Sequence, residues 1–465
     1  MPLKKFINYF NINKFSTIII IFFVSKLIIF KYFFQIHDNL TSYWQLSNLE
    51  LLQNDLFNTI KYLHMQPPLW NLIIGSLLKT TSGNLELTSN IILIFHWIFS
   101  FMILLIIKYF CDELNVKNLP KNIIFIIFIF HPSIIFYENL PYYPHLVVFL
   151  FFLSSLNLYN FFKTNNYNYE LYFYLIIVIL IFLISAFIPL LLLTFFVLFR
   201  FVEYKKKQRN NNLLKKIFYF LPILLIAFIP YFKNYYIFGT FTKGTWSGLQ
   251  LATTTTTIPN NIHFNKCGLG NTFGDYNIEK NIAIDEYFLK YDKDKNTLNH
   301  PSIIGNKSSR NNLGMITRSE WCLIKNLKLI NENKIKWFKG RIIEFLMPHS
   351  QLAIDYDFIE SPKGYEKIKH LKNSIYEYKI LKRIKQLSVF LFMITVYIIL
   401  TYKILSNKEK DYIRLFYLFI LMLYAYIILI SSLFGNQEGQ RFMHYGFIIQ
   451  ILFFIELSKF KILKI

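Results

Sequence analysis

Two carboxylates stand beside long apolar segments and could act as general bases on a hydroxyl or an amine. Asp38 follows the first apolar segment in HDN, and Glu138 follows the third in YEN. A carboxylate within hydrogen-bond reach of a substrate can accept its proton, and acidic residues near membrane depth are costly and often functional. Each also has an ordinary explanation, with Asp38 as a helix cap and Glu138 as a loop acid.

Six further polar or aromatic residues lie beside the ends of apolar segments. They are His64, Gln66, Tyr137, Asn139, Lys233 and Arg441. We expect the two carboxylates, His64 and Arg441 to converge on one external cavity, although a solvated histidine and an interfacial arginine would look the same in sequence. His131, inside IFHPSIIF, is instead expected to be a packed helix residue beside Pro132.

The elements that position these residues are apolar segments long enough to cross a bilayer. The chain has 465 residues, of which 54% are hydrophobic, and apolar runs of about 20 residues recur along most of it. A helix satisfies its own backbone hydrogen bonds, which a lipid-exposed segment requires. We therefore predict an all-α polytopic membrane protein with about 10 transmembrane helices.

The predicted spans follow from the positions of the apolar runs. They cover about 15–35, 87–110, 122–136, 145–162, 170–202 as two helices, 217–232, 386–404, 412–433 and 443–457. Two short helices with a turn at 185–189 fit the run 170–202, and one long tilted helix is the alternative. The run 69–78 is too short to cross and is predicted to be a helix at the interface or against the bundle.

Positive charge is concentrated in a few segments that this span count places on one side. The net charge is +23, from 50 Lys and Arg against 27 Asp and Glu. The basic segments are 1–5, 203–216, 403–414 and 459–464. Because cytoplasmic loops collect Lys and Arg, we predict that these segments are cytoplasmic and that the other loops are external. Those external loops are 36–68, 137–144, 233–385 and 435–442.

This topology predicts three parts of the chain. Residues 1–232 form an amino-terminal transmembrane bundle with a first external loop at 36–68. Residues 233–385 form an external soluble domain of mixed or unknown class. Residues 386–465 form the carboxy-terminal transmembrane helices. The first apolar segment exceeds the core of a signal peptide and is predicted to be an uncleaved span. Nucleic-acid binding is not expected, because no basic domain with interleaved aromatic residues stands apart from the spans.

The cysteines do not suggest a metal site. The chain contains Cys111, Cys267 and Cys322, with no CxxC spacing or Cys/His cluster. A structural zinc site is therefore not expected. If Cys267 and Cys322 share an oxidising compartment they could pair, and the sequence leaves this open.

Three motifs in one order resemble a known superfamily. They are YLHMQPPL at 62–69, PSIIFYEN at 132–139 and KNYYIFGTF at 233–241, after an acidic residue that closely follows the first span. This arrangement resembles the GT-C superfamily of membrane glycosyltransferases. It is similar to the protein O-mannosyltransferases and to the bacterial aminoarabinose transferases of lipid A. The resemblance covers about residues 1–250, and the last three spans only by topology.

The resemblance implies a reaction and a role for each matching residue. These enzymes transfer a sugar from a polyprenyl-phosphate carrier to an acceptor at the external face, with inversion. Asp38 matches the first-loop acid that acts as the general base, and Glu138 matches a second acid that shapes the site or binds a metal. The family often has a basic residue before the double proline, where this chain has Gln66. His64, Lys233 and Arg441 therefore become the candidates for the phosphate contact.

Several points stay open in the sequence. A divalent cation is one of them, because Asn39 follows Asp38 where the family often has an acidic pair. The acceptor can be a lipid, a glycan or a protein, and the sugar is not specified. The alternatives in function are a polymerase or ligase of lipid-linked glycans, and a transporter or flippase. Compact loops favour the bacterial inner membrane with a site facing the periplasm, with the endoplasmic reticulum as the alternative.

Overall fold

A computed structural model describes residues 12–33, 40, 45–205, 213–255, 258, 287–291, 298, 300–304, 311–346, 379–406, 409–434 and 444–459. Within these ranges the chain forms helices and no β-strand. The prediction of an all-α protein is therefore confirmed for the described residues. Asp38, Cys267 and Arg441 lie outside these ranges.

The helices are numbered here in chain order. They are α1 (Ile12–Phe33), α2 (Leu49–Asn54), α3 (Leu56–Lys61), α4 (Pro68–Thr80), α5 (Leu85–Glu113), α6 (Asn118–Phe130), α7 (Pro132–Glu138), α8 (Pro144–Thr164), α9 (Tyr167–Leu183), α10 (Pro189–Lys205), α11 (Leu213–Phe238), α12 (Ser247–Thr254), α13 (Pro301–Ile304), α14 (Gly314–Glu332), α15 (Lys334–Leu346), α16 (Lys379–Leu405), α17 (Asp411–Phe434) and α18 (Phe447–Leu457).

Several of these helices have the length and composition of membrane spans. Among the described residues, five helices could each cross a bilayer, and the bent pair α6–α7 would make a sixth. The five are α5, α8, α11, α16 from Leu387 onward, and α17 up to Ile430. Only 22% of the apolar window of α11 and 17% of that of α16 is buried inside the protein. Their outward apolar surfaces are suited to contact with lipid.

The apolar run 170–202 forms two helices, which confirms the first of the two predicted alternatives. Helix α9 ends at Leu183, and α10 begins at Pro189, which suits proline because the first turn of a helix needs no backbone N–H. Lys243 donates from its buried Nζ to the carbonyls of Ile181 (3.0 Å), Ile184 (2.7 Å) and Phe187. This amino group donates hydrogen bonds to carbonyls that the end of α9 leaves without helical partners.

The third predicted span is broken at His131. Helices α6 and α7 meet at an angle of 44°, because Pro132 has no N–H and disfavours helical backbone in the residue before it. His131 caps α7, and its Nδ1 accepts a hydrogen bond from the Ser133 backbone N–H at 3.3 Å. The expectation of a packed helix residue is thus corrected, since His131 has extended backbone and lies at the break.

Ion pairs show that successive long helices run in alternating directions. Glu113 at the end of α5 pairs with Lys163 at the end of α8, and Asp112 pairs with Lys121 at the start of α6. Lys216 at the start of α11 lies 2.5 Å from Glu203 in α10. We call this side of the bundle the basic end. The opposite side, where α5, α8 and α18 begin and α7, α9, α11 and α17 end, is the loop end.

The described part of 233–385 packs on the loop end as helices. Helix α11 continues to Phe238, and α12, α14 and α15 follow. Helix α12 lies so close to α14 that a Cβ at Gly248 would be 1.7 Å from the Ser319 carbonyl oxygen. Cys322 in α14 is disulfide-bonded, and Cys111 in α5 is a free, buried thiol.

Candidate functional site

The most unusual polar groups in the structure lie together inside the loop end of the bundle. We call them the histidine cluster. Its members are Lys26 (α1), His96 and Ser100 (α5), Tyr137 and Glu138 (α7), His145 (α8) and His444 (just before α18). All of them are buried. Residues from four helices and one helix-preceding turn therefore meet in an otherwise apolar bundle.

An ion pair anchors this cluster. Lys26 Nζ lies 2.6 Å from Glu138 Oε2, and the two side chains are only 2% and 0% exposed. Helix α7 is short because Pro132 starts it after the break, and it ends with Glu138 facing α1. A buried carboxylate is tolerated when a cation pairs with it, because transfer of an unpaired charge out of water is very costly.

Two imidazoles lie next to the ion pair. His96 Nδ1 donates a hydrogen bond to the Glu138 backbone carbonyl at 3.1 Å, which leaves Nε2 as the acceptor of the neutral ring. His145 Nε2 and the Ser100 hydroxyl are hydrogen-bonded at 2.8 Å. The ring centroids of His96 and His145 are 5.5 Å apart. His96 and Ser100 are four residues apart in α5, so they share one helix face.

A third imidazole closes the cluster from the other side. The His444 ring stacks on the Tyr137 ring at a centroid distance of 4.2 Å and an interplanar angle of 22°. It lies 6.0 Å from the His145 ring. Among the described residues, neither ring nitrogen of His444 has a hydrogen-bond partner. An aromatic stack therefore positions this histidine, and its nitrogens are available for proton exchange.

Several other atoms of the region also lack hydrogen-bond partners within the described residues. These are His96 Nε2, His145 Nδ1, Glu138 Oε1 and Asn139 Oδ1. Buried polar groups are normally paired, and each exception calls for an explanation. Elsewhere in the described chain, as here, no group of three or more His, Cys, Asp or Glu side chains is placed to hold a metal ion. The unpartnered ring nitrogens and carboxylate oxygen of the cluster are groups of a kind that can exchange protons.

The first loop forms a second polar assembly with the residues that follow α11. His64 Nδ1 is hydrogen-bonded to the Thr245 hydroxyl at 3.0 Å, and Asn311 Oδ1 accepts from the backbone N–H of His64 at 2.9 Å. Thr245 N–H donates to the His64 carbonyl at 3.1 Å. Burial lowers the pKa of His64 to about 3, and the nearby Lys233 charge adds to this effect. His64 is thus neutral near pH 7 and provides a polar contact without a charge.

Lys233 is engaged by the same loop. Its Nζ donates to the carbonyl of Leu63 and, at 3.4 Å, to that of Ile60. Gln66 lies just beyond this contact, partly exposed, before the double proline that starts α4. The structure thus brings His64, Gln66 and Lys233 into one region, with Lys233 holding the loop in place.

The first loop also contacts the segment after α7. Tyr142 donates its hydroxyl to Gln45 Oε1 at 2.9 Å. Asn71 of α4 accepts from the Ser47 backbone N–H at 2.7 Å. Trp70 and Tyr143 pack edge to face at 6.2 Å. The predicted helix 69–78 is confirmed as α4, and it packs against the bundle.

The remaining predicted residues fall into two groups. Tyr137, Glu138 and Asn139 belong to the buried end of α7, where Asn139 Nδ2 donates to the Ile135 carbonyl at 2.7 Å. Asp38 and Arg441 lie outside the described residues, so their roles stay predictions.

Sequence reasoning missed five members of the histidine cluster. They are Ser100 and the four ionisable residues Lys26, His96, His145 and His444. The available signal was the occurrence of single ionisable residues inside or at the margin of apolar segments, which is costly in a membrane and marks functional positions. This signal does not group the four ionisable residues into one site, because each of them stands alone in its apolar segment.

Comparison of the chain with protein-family models, with curated proteins and with solved structures found no significant match to any of them.

Proposed function

We propose that the chain is an integral membrane glycosyltransferase of the GT-C type. It transfers a sugar from a polyprenyl-phosphate carrier to a lipid, glycan or protein acceptor at the external face, with inversion. One observation carries this proposal. The three motifs are far apart in sequence, yet Lys233 of the third donates to the Leu63 carbonyl of the first, and Gln45 of the first loop contacts Tyr142, just after the second. A site assembled from several loops on a rigid scaffold is typical of enzymes.

In the proposed reaction, Asp38 is the general base. It removes the proton of the acceptor while the anomeric carbon is attacked from the face opposite the phosphate. Glu138 acts as a positioning residue, because its carboxylate is already paired with Lys26 and buried. This pairing favours the shaping role over direct proton transfer. Chelation in the transfer assay tests whether a divalent cation takes part.

The leaving phosphate needs a cation, since negative charge develops on it as the bond to the sugar breaks. Neutral His64 does not supply that charge, and Lys233 donates to backbone carbonyls of the first loop. We therefore assign the phosphate contact to Arg441. His64 and Gln66 remain candidates for hydrogen bonds to the sugar or to the phosphate.

The proposed topology has ten spans, with the basic end in the cytoplasm. The ion-paired basic end collects the Lys and Arg residues that cytoplasmic loops favour. The disulfide at Cys322 belongs to the loop end and is consistent with an oxidising compartment there. We place the protein in a bacterial inner membrane with the loop end facing the periplasm. The endoplasmic reticulum, with the loop end facing the lumen, is the alternative.

A transfer assay tests this proposal. The full chain is reconstituted in liposomes with labelled polyprenyl-phosphate sugars and a membrane extract as the acceptor. We expect Asp38→Asn to reduce transfer by about 10²-fold or more, because a general base contributes at least that much. The matched control is Asp55→Asn, which removes another first-loop carboxylate that pairs with His300 at 3.1 Å. Normal transfer by Asp38→Asn would overturn the assigned base, and loss of transfer on chelation would establish the divalent cation.

The histidine cluster favours a second candidate function. Ionisable residues buried between membrane helices often carry protons in transporters. A proton-coupled transporter or flippase would show substrate flux in vesicles that depends on a pH gradient, without sugar transfer. Activity with a diphosphate-linked donor alone would instead favour a polymerase or ligase of lipid-linked glycans.

A further inference from the structure

Helices α14 and α15 carry exposed apolar side chains. These side chains are Trp321, Ile324, Leu327, Ile335, Phe338 and Ile342, each between 40% and 73% exposed. In α15 the three apolar residues follow one another at intervals of three and four, so they form a single stripe along one helix face. Exposed apolar surface of this kind marks an interaction site.

The opposite face of α15 holds the helix against the bundle. Arg341 donates to the Ser432 carbonyl at 2.9 Å and to the Thr254 carbonyl at 2.8 Å. Trp337 donates its indole N–H to the Thr254 hydroxyl at 3.1 Å. These contacts fix the rotation of α15 about its axis, and therefore the direction in which Phe338 points.

The same contacts set the level of α15 relative to the bilayer. Ser432 is in the last turn of α17, which is one of the helices able to cross a membrane. The end of a span lies at the boundary between acyl chains and head groups. Leu429, one turn earlier in α17, is 48% exposed, so the lipid-facing surface of that span continues towards α15.

Lysines flank the apolar stripe. Those exposed on the two helices are Lys325, Lys328, Lys334, Lys336 and Lys339. Lys334 and Lys339 lie on either side of the stripe of α15, where long side chains can keep their ammonium groups at the surface. An apolar face bordered by positive charge is suited to a bilayer that contains anionic lipids. A second protein chain with an apolar contact surface would not need so many cations of one sign.

We propose that the outer faces of α14 and α15 rest in the head-group region of the leaflet at the loop end and bind anionic phospholipids through Lys325, Lys328, Lys334 and Lys339. The external segment is then not a free soluble domain, because its apolar stripe is covered by lipid. This inference requires only that the chain lies in a membrane and is independent of sugar transfer.

Spin labels on α15 test the proposal in the full chain. Phe338→Cys and the control Lys336→Cys are labelled in a Cys111→Ala background that takes up no label itself. The proteins are reconstituted in phosphatidylcholine vesicles with or without phosphatidylglycerol. We expect the label at 338 to be accessible to oxygen and protected from a water-soluble nickel complex, and the label at 336 to show the reverse. Phosphatidylglycerol should increase the depth of the label at 338.

Three outcomes would overturn the proposal. A label at 338 that is as accessible to nickel as the label at 336 would place the helix in water. A label at 338 that neither probe reaches would indicate that protein covers the stripe. Binding of anionic lipid would be excluded if phosphatidylglycerol did not change the depth of the label at 338. It would also be excluded if the change were the same after the four lysines at 325, 328, 334 and 339 are replaced by Gln.

Discussion

Acidic side chains at the two ends of the bundle are neutralised in different ways. At the basic end, Glu113 pairs with Lys163, and their side chains are 15% and 37% exposed. Asp112 at the same end contacts both Lys108 and Lys121. At the loop end, Glu138 has the single cation Lys26 among the described residues, and neither side chain is more than 2% exposed.

This difference has energetic consequences. Exposed ion pairs are weakened by water and salt and contribute little to stability. A fully buried pair contributes little net stability when intact, but removal of one partner leaves a charge without compensation. The buried carboxylates of the basic end, Glu170 and Glu456, pair with Arg200 and with Lys403 and Lys459, which are cations 14% to 27% exposed. At the loop end both members of the Glu138 pair are buried, and imidazole nitrogens without a partner among the described residues lie beside it, which is expected of a functional site.

The largest expected effect comes from breaking the buried pair on one side only. Lys26→Met leaves the Glu138 carboxylate buried and unpaired, and we expect a loss of about 3–5 kcal/mol in the free energy of unfolding. The double variant Lys26→Met/Glu138→Gln should recover most of that loss, because no buried charge remains. Thermal unfolding in detergent measures both. If the single variant is as stable as the wild type, the pair is not a buried charge pair in the membrane.

The second effect concerns pH and the first loop. The pKa of His64 is about 3 in the folded protein, below the ordinary value of about 6.5. Its contribution to stability is therefore complete above pH 6.5 and is lost as the pH falls towards 3. At pH 4.5 we expect a loss of about 2–3 kcal/mol. Hydrogen exchange in the peptide around His64 measures this loss locally.

His64→Asn provides the control for this pH effect. The amide can keep a hydrogen bond to Thr245 but has no group that titrates in this range. The variant should show the same protection at pH 4.5 as at pH 7. A pH dependence that persists in His64→Asn would have to come from other groups of the loop.

The smallest effect is expected at the basic end. Lys163→Gln removes the partner of Glu113 where both side chains reach solvent. We expect a change of about 0–1 kcal/mol, and a smaller one at high salt, because solvent and ions screen this pair. A loss comparable to that of Lys26→Met would remove the distinction between the two ends.

The arrangement of long helices could be predicted from sequence because its physical cause is local. An apolar run of sufficient length forms a helix in lipid whatever its neighbours are. The turn within 170–202 was visible as a break in the apolar run, with Pro189 positioned to start the next helix. The exact extent of α11, which passes Lys233 and reaches Phe238, was underestimated because its last turns are polar and bind the first loop.

The candidate site was less predictable because its contacts join distant segments. The Lys26–Glu138 pair links residues 112 positions apart, and no local pattern shows that the two helices are neighbours. In the sequence, Lys233 is a candidate for the phosphate contact. Its hydrogen bonds to the carbonyls of Ile60 and Leu63 depend on the path of the first loop, and hydropathy does not predict that path.

The contact that Lys243 makes with the turn between α9 and α10 also has a consequence for synthesis of the protein. Lys243 follows Phe187 by 56 residues, and α11 lies between them. A nascent chain that ends before Lys243 therefore lacks the donor for the carbonyls of this turn. The turn between α9 and α10 is therefore unfinished at that stage, and the chain completes it from the far end of α11.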